Sequence, residues 1–364
     1  MTARVIHVVD EQSCQEGLRL LSLLLRSLSA DRVKQSVVII GQQPALLQPP
    51  GNISVLRVPR REGWLTVGSG GLANALATDD DQRLPMTVHA WGTNAAAAAR
   101  SALPVNASML TTITDPDDVP NSRAGQSSID LTRLPGRIVC TSSLLQTRLE
   151  AATVQPARIT LIPPAAEFEQ LSSVAKRDIR EQLHLPSQGR VFLTTSPPTR
   201  AGGQFFAVWA AAILHQIWPD AHMVVPGVST EQKRIARLVD TIYCPHIYRL
   251  IEDRYTLAEL LAVSDALLVP AIGDMPVGWL AAAMAASIPI FGSNVPSVAD
   301  IVTDGQTGFL CTPGEPQTLA IRVRTAFETP GEIQHCVENA RRQAADRYAP
   351  ADVLAAYRKR YEPF

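Results

Sequence analysis

Two successive series of short aliphatic strands, each strand followed by a helical stretch, restrict this chain more than any other feature. The first series opens with "RVIHVV" and passes through a polar turn into "GLRLLSLLLRSL", whose apolar residues recur at helical spacing. It returns to strand in "QSVVIIG". A β-α-β opening of this kind points to a parallel sheet, because parallel neighbours need a crossover and a helix supplies it. The alternation continues through "MTVHAWG", "TNAAAAARSAL", "SMLTTITD", "GRIVCTSS", "LLQTRLEAA" and "RITLIPP". A charged helical stretch, "FEQLSSVAKRDIREQLHLPSQGR", reads as an inter-domain region. A second series then runs through "VFLTTS", "QFFAVWAAAILHQIW", "HMVVPG", "STEQKRIARLVDTI", "PHIYRLI", "LAELLAVS", "DALLVPA", "VGWLAAAMAAS", "IPIFG" and "GFLCTP". The stretches "PQTLAIRVRTAFE", "EIQHCVENARRQAADRY" and "PADVLAAYRKRY" are helical throughout.

A chain of 364 residues exceeds one ordinary core, so the two series read as two α/β domains of similar size. Ligands of open α/β sheets sit outside the carboxyl ends of the strands, and clefts between domains are preferred sites. A cleft between the two domains is therefore the expected ligand site.

Composition narrows the partners. Apolar residues make up 46% and charged residues 18%, a globular balance. With 33 basic and 34 acidic residues and no basic block, nucleic acid is not an expected partner. Cys14, Cys140, Cys244, Cys311 and Cys336 are scattered, with no CxxC or Cys/His spacing, so neither zinc nor a disulfide framework is expected. Small core residues are the simpler reading for most of them. The remaining histidines apart from His89 (His7, His184, His215, His222, His246 and His335) share no metal-ligand spacing. The first residues, "MTARVIHVVDEQ", carry one basic residue and a short apolar run, unlike a signal peptide. No stretch approaches the roughly 20 apolar residues of a membrane span. The expectation is a cytoplasmic protein without a transmembrane segment, compatible with peripheral membrane contact.

The order of five stretches resembles the GT-B fold glycosyltransferases, in particular the large retaining family 4. "ITLIPPAAEF" looks like that family's strand-plus-turn, with Pro164 and Ala165 where Asn and Gly are usual. "LAELLAVSDALLVPA" is similar to its helix-strand pair, Asp265 included, and "GWLAAAMAASIPI" to its next helix and strand. "SVADIVTDGQTGFLCTP" keeps Asp300, Asp304, Gly305 and Gly308 in register. "YAPADVLAAYRKRYEPF" resembles the last helix, which in the family crosses back onto the first domain. The first half fits more loosely, through "VHAWG" and "TTITD". The resemblance implies an α/β chain of two Rossmann-like domains facing across a cleft. Residues 1–165 would form the acceptor-side domain, 166–346 the nucleotide-sugar domain, and 347–364 the crossing helix.

The same resemblance implies site residues. Family members grip a nucleotide diphosphate-sugar with an acid pair, Glu-x7-Glu, the first on the sugar and the second on the ribose. Carboxylates suit this because each accepts hydrogen bonds from two hydroxyls. Here the pair maps to Asp274 and Ala282. Alanine cannot accept from the ribose, a loss of one or two charge-assisted bonds of about 1.5–3 kcal/mol each. The cations that stabilise the departing diphosphate map to "SPPTRAGGQFF", where Arg200 is basic and Gly202 stands at the lysine position. Gly202 and Gly203 expose backbone N–H groups at a helix start, which can cradle an anion. Ile251, Val277, Gly278 and Trp279 complete the implied donor contacts. In the first domain, Gly17 is the sole glycine of the loop that touches donor phosphates in the family. The acceptor-side histidine aligns with Thr114, followed by Asp115, and His89 is a candidate substitute.

The expected activity is therefore transfer of a hexose from a nucleotide diphosphate-sugar to an acceptor, whether glycan, lipid or small molecule. The mechanism would be retaining, with no cofactor and no metal. The replacements at Ala282, Gly202 and Thr114 keep a second reading open, a non-catalytic GT-B protein acting as a binding or partner module. A nucleotide-sugar epimerase, which uses the same fold, is a weaker third, since it needs cleft carboxylates and a histidine that the sequence does not pick out.

Overall fold

In a computed structural model the chain is described from residue 3 to residue 361, except 12, 29–32, 45, 60–68, 78–84, 120–128, 167–172, 195–199, 228–231, 243–247 and 252–254. By internal contacts it forms two units, Met1–Pro164 with Pro350–Phe364, and Ala165–Ala349.

The first unit holds β1 (Ala3–Asp10), α1 (Gln15–Ser27), β2 (Val33–Ile40), β3 (Ser54–Val58), α2 (Ser69–Ala77), β4 (Met86–Trp91) and α3 (Thr93–Ala102). It continues with β5 (Ala107–Ile113), β6 (Arg137–Cys140), α4 (Ser143–Ala151) and β7 (Ile159–Leu161). The strands form one parallel sheet in the order β3-β2-β1-β4-β5-β6-β7. Successive side chains leave a strand on opposite faces. Ile6, Val8, Val88 and Ala90 enter one core with the alanines of α3. His7, His89 and Trp91 lie on the opposite face, where they meet Tyr357 and Tyr361. Those tyrosines belong to α13 (Pro350–Tyr361), which packs against β1.

The second unit contains α5 (Ser173–Gln182), β8 (Val191–Thr194), α6 (Gln204–Ile217), β9 (His222–Pro226), α7 (Gln232–Thr241), β10 (Tyr248–Ile251) and α8 (Leu257–Ala262). Then follow β11 (Ala266–Val269), α9 (Gly278–Ala285), β12 (Ile290–Ser293), α10 (Pro296–Ala299), β13 (Phe309–Cys311), α11 (Pro316–Glu328) and α12 (Pro330–Arg347). Its parallel sheet has the order β10-β9-β8-β11-β12-β13. Leu193, Leu267 and Val269 enter the core with α9, while Phe192, Ala266 and Leu268 enter the one with α6 and α11. Strands covered on both faces explain why they read as unbroken aliphatic runs.

Two expectations change. The charged stretch read as an inter-domain region contains α5, which packs on α8 and sends Ile179, with Leu183 and Leu185 just beyond it, into the second unit's core. Its charges lie on the outward side of an amphipathic helix, which from sequence resembles a linker. The edge strand β3, not singled out in sequence, shows four exposed residues before Val58. It lacks the aliphatic run that marks its neighbours.

Candidate functional site

Strand order, which sequence does not give, locates the site. In the second unit the sheet grows from β8 in one direction through β9 and in the other through β11. The crevice at the carboxyl ends of β8 and β11 is a topological switch point, where open α/β sheets take their ligands. The loops after these strands are the two that sequence marked.

They are clasped together. The Ala201 carbonyl accepts from Ile272 N at 2.8 Å and from Gly273 N at 3.2 Å. Gly203 has φ +71°, and a Cβ there would run into the Pro270 carbonyl oxygen, so only glycine fits. The clasp sets the N-terminus of α6, with Gly202 and Gly203, beside the loop leading to α9, with Asp274 and Gly278. Arg200 is exposed at the start of the same turn. A helix N-terminus carries partial positive charge, so the arrangement favours an anion.

Asp274 is itself held in place. Its Oδ1 accepts from Ser297 N at 3.0 Å, and Ser297 Oγ accepts in return from Met275 N at 3.1 Å. The carboxylate thus caps the first turn of α10 and fixes its own loop. Of the expected donor contacts, Arg200, Gly202, Gly203, Asp274 and Gly278 come together. The others do not. Val277, Trp279, Ala282 and Ile251 are buried in the core behind α9. Ala282 is 3% exposed, so its side chain packs in the core, at the position where the resemblance places a ribose-binding acid in the family. An apolar helix with few polar positions places such residues inward, and sequence spacing alone could not show that.

The first unit has its own switch point, between β1 and β4. Asp10 ends β1, and Ser13 Oγ bridges Asp10 and the Trp91 carbonyl. Thr114 is buried beside Gly17, with the Thr114 hydroxyl 3.4 Å from where a Gly17 Cβ would stand. Gly17 lies inside α1, beside Trp91 and Thr114. Asp115 caps the turn Pro116–Asp118 by accepting from Asp117 N at 3.0 Å. Burial raises its carboxyl above the usual range, against the hydrogen bond from Asp117. Burial likewise raises the neighbouring Cys14 thiol, with Asp115 and Glu16 adding to the effect.

Sequence reading missed Asp118. Thr93 Oγ1 donates to its Oδ1 at 2.7 Å. Burial pushes this carboxyl up to about 6, helped by the charges of Asp115 and Asp10. The signal available was "TDPDD" directly after a strand, three acids where a parallel sheet takes ligands. Among the described residues no group of His, Cys, Asp and Glu has metal-holding geometry.

His89 is a correction. It is fully buried, with Nδ1 hydrogen-bonded to Tyr361 Oη and Nε2 to Thr112 Oγ1, each at 2.7 Å. It packs on Trp91 at 4.3 Å and on His7 at 5.4 Å between ring centroids. Burial and the neighbouring His7 lower its pKa well below 6.5. Both nitrogens serve the seam between β4, β5 and α13, leaving no atom directed to a substrate.

Residues 175–343 match the family model for glycosyl transferases group 1. The chain is 24% identical over 142 residues to N-acetyl-alpha-D-glucosaminyl L-malate synthase of Bacillus anthracis, covering 39% of this chain and 37% of that protein. It is 24% identical over 202 residues to D-inositol 3-phosphate glycosyltransferase 2 of Catenulispora acidiphila, covering 52% and 47%. The chain thus spans less than half the length of these curated relatives. Among solved structures it is similar to Anabaena Alr3699/HepE in complex with UDP and glucose, with TM-score 0.77 and 17% identity over 98% of this chain and 99% of that one. The fold is that of the GT-B glycosyltransferases.

Proposed function

We propose that the chain is a glycosyltransferase of the retaining family 4 type, moving a hexose from a nucleotide diphosphate-sugar to an acceptor hydroxyl without metal. One observation carries this reading: the clasp of Ala201 to Ile272 and Gly273, which gathers Arg200, Gly203 and Asp274 at a switch point. The Anabaena neighbour with UDP and glucose bound favours a uridine donor first.

Arg200 and the N-terminus of α6 hold the diphosphate and stabilise the charge that builds as the anomeric C–O bond breaks. Asp274 accepts from hydroxyls of the sugar. The departing phosphate oxygen takes the acceptor proton, and the acceptor oxygen bonds the anomeric carbon on the face the diphosphate leaves. Asp115 and Asp118 bind acceptor hydroxyls in the first unit. The donor and acceptor are the substrates, and no cofactor takes part.

A second reading, a protein that binds without turnover, is favoured by Gly202 and Thr114, which stand where the resemblance implies a lysine and a histidine. Calorimetric titration with UDP, GDP and ADP, and assay of nucleoside diphosphate release from the matching sugar donors, separate the two. Release that Arg200→Ala abolishes supports transfer. Binding without release supports the second reading, and no binding at millimolar nucleotide sinks both.

A further inference from the structure

The helix α6 has the sequence QFFAVWAAAILHQI, apolar apart from Gln204, His215 and Gln216. A helix apolar all round is ordinarily covered on every side. Here the cover is incomplete: Ala207, Val208, Ala210, Ala211 and Leu214 enter the core of the second unit, Phe205 and Ile213 pack against it half-buried, and Trp209 and Ile217 stay exposed. On the other side Phe206, Trp209, Ile213 and Ile217 follow one another at spacings of three and four, a continuous stripe along the helix. Trp209 is 39% exposed and Ile217 40%. Phe205 joins the stripe, its ring edge-on to Phe206 and to Trp209 at 5.5 and 5.9 Å between centroids.

The charge beside this stripe is mainly positive. α6 carries no Asp, Glu, Lys or Arg. The neighbouring α7 buries Ile235 and Val239 and exposes Lys233, Arg234 and Arg237, with Asp240 as the single acid on that helix. The Arg234 guanidinium lies over the Phe205 ring at 3.9 Å, so the cationic rank borders the aromatic one directly.

We propose that this face of the second unit docks on an anionic phospholipid surface. Trp and Phe side chains settle at the headgroup level, where their rings are half in hydrocarbon, and flanking Lys and Arg meet the lipid phosphates. The stripe supplies apolar burial and α7 supplies attraction to negative charge, the two signals that together hold a protein reversibly at a membrane. The cations that border the stripe match lipid phosphates, which is what favours a membrane surface over an apolar protein face. Docking involves no nucleotide and stands apart from the transfer reaction.

The test is co-sedimentation of the full chain with vesicles of phosphatidylcholine alone and of phosphatidylcholine mixed with phosphatidylglycerol. Binding is expected to the mixed vesicles, at least tenfold tighter than to the neutral ones, and weakened by salt. Lys233→Gln combined with Arg237→Gln should reduce it roughly thirtyfold, and Trp209→Ser roughly tenfold, with melting midpoints like the parent's. The two variants touch different helices, so a folding defect in one leaves the other decisive. Equal affinity for both vesicles, no affinity for either, or parent-like binding by both variants overturns the proposal. A lipid-free dimer that Trp209→Ser dissolves in light scattering also overturns it, by assigning the face to a second copy.

Discussion

Replacing Asp118 by asparagine should stabilise the first unit at neutral and alkaline pH and leave it unchanged in acid. In the folded chain this carboxyl is pushed from 3.8 up to about 6, first by burial and then by the charges of Asp115 and Asp10, against the Thr93 hydroxyl. That difference corresponds to about 3 kcal/mol. The site is only half-buried, so solvent screens part of it and about 1.5 kcal/mol is the working figure. The folded state holds the proton more tightly than the unfolded one, so the unit is most stable below about pH 4. It loses stability as pH rises from about 4 to 6 and carries the full cost above. Asparagine keeps the Oδ1 acceptor for Thr93 and cannot ionise. Scanning calorimetry of parent and variant should show the first unit's midpoint about 3–6 °C higher for Asp118→Asn near pH 8 and equal midpoints near pH 4. The same gain at both pH values, or none near pH 8, refutes the argument that ionisation of a buried acid is the cause.

Other outcomes follow from the same structure. His7, whose pKa burial lowers to about 4, adds stability that is complete above about pH 6.5 and lost as pH falls towards 4, about 3 kcal/mol in all. A His7→Asn variant should lack that acid sensitivity in urea titrations. Gly203→Ala meets both a left-handed backbone and the Pro270 carbonyl and should cost more than about 2 kcal/mol, whereas Gly305→Ala, at φ +68° with nothing within 4 Å, should cost about 1. Equal losses in thermal melts would show that the clasp is not the tight element. Tyr361→Phe removes the hydroxyl from His89 and should cost about 1–2 kcal/mol by denaturant midpoint.

The alternating pattern made β8, α6, β11 and α9 readable, because strands covered on both faces must be aliphatic and their crossovers helical. It also placed Arg200 and Asp274 in loops at strand ends. What it could not supply was strand order, and so the fact that the loops after β8 and β11 are neighbours. Periodicity is local, whereas the Ala201 clasp joins residues seventy positions apart. Val277, Trp279 and Ala282 read as site residues because a family resemblance fixes position along a helix but not which side faces the core. His89 looked chemical for a related reason: its partners, Thr112 and Tyr361, lie 23 and 272 residues away. Asp118 went unmarked because an acid in a turn ordinarily points to water, and only burial beside Asp115 and Asp10 makes it unusual.

The helix α13 completes the first unit although it follows the second in the chain. Its Tyr357 and Tyr361 close a seam with His89 and Thr112, so the first unit is interrupted in the chain by residues 165–349. During synthesis, then, every residue of the second unit is added before the last element of the first. The buried imidazoles of His7 and His89 wait through that interval without the tyrosines that later cover them. A fusion placed after Tyr361 would therefore burden the unit that was begun first, and a chain truncated within residues 165–349 would have an opening sheet without its covering helix.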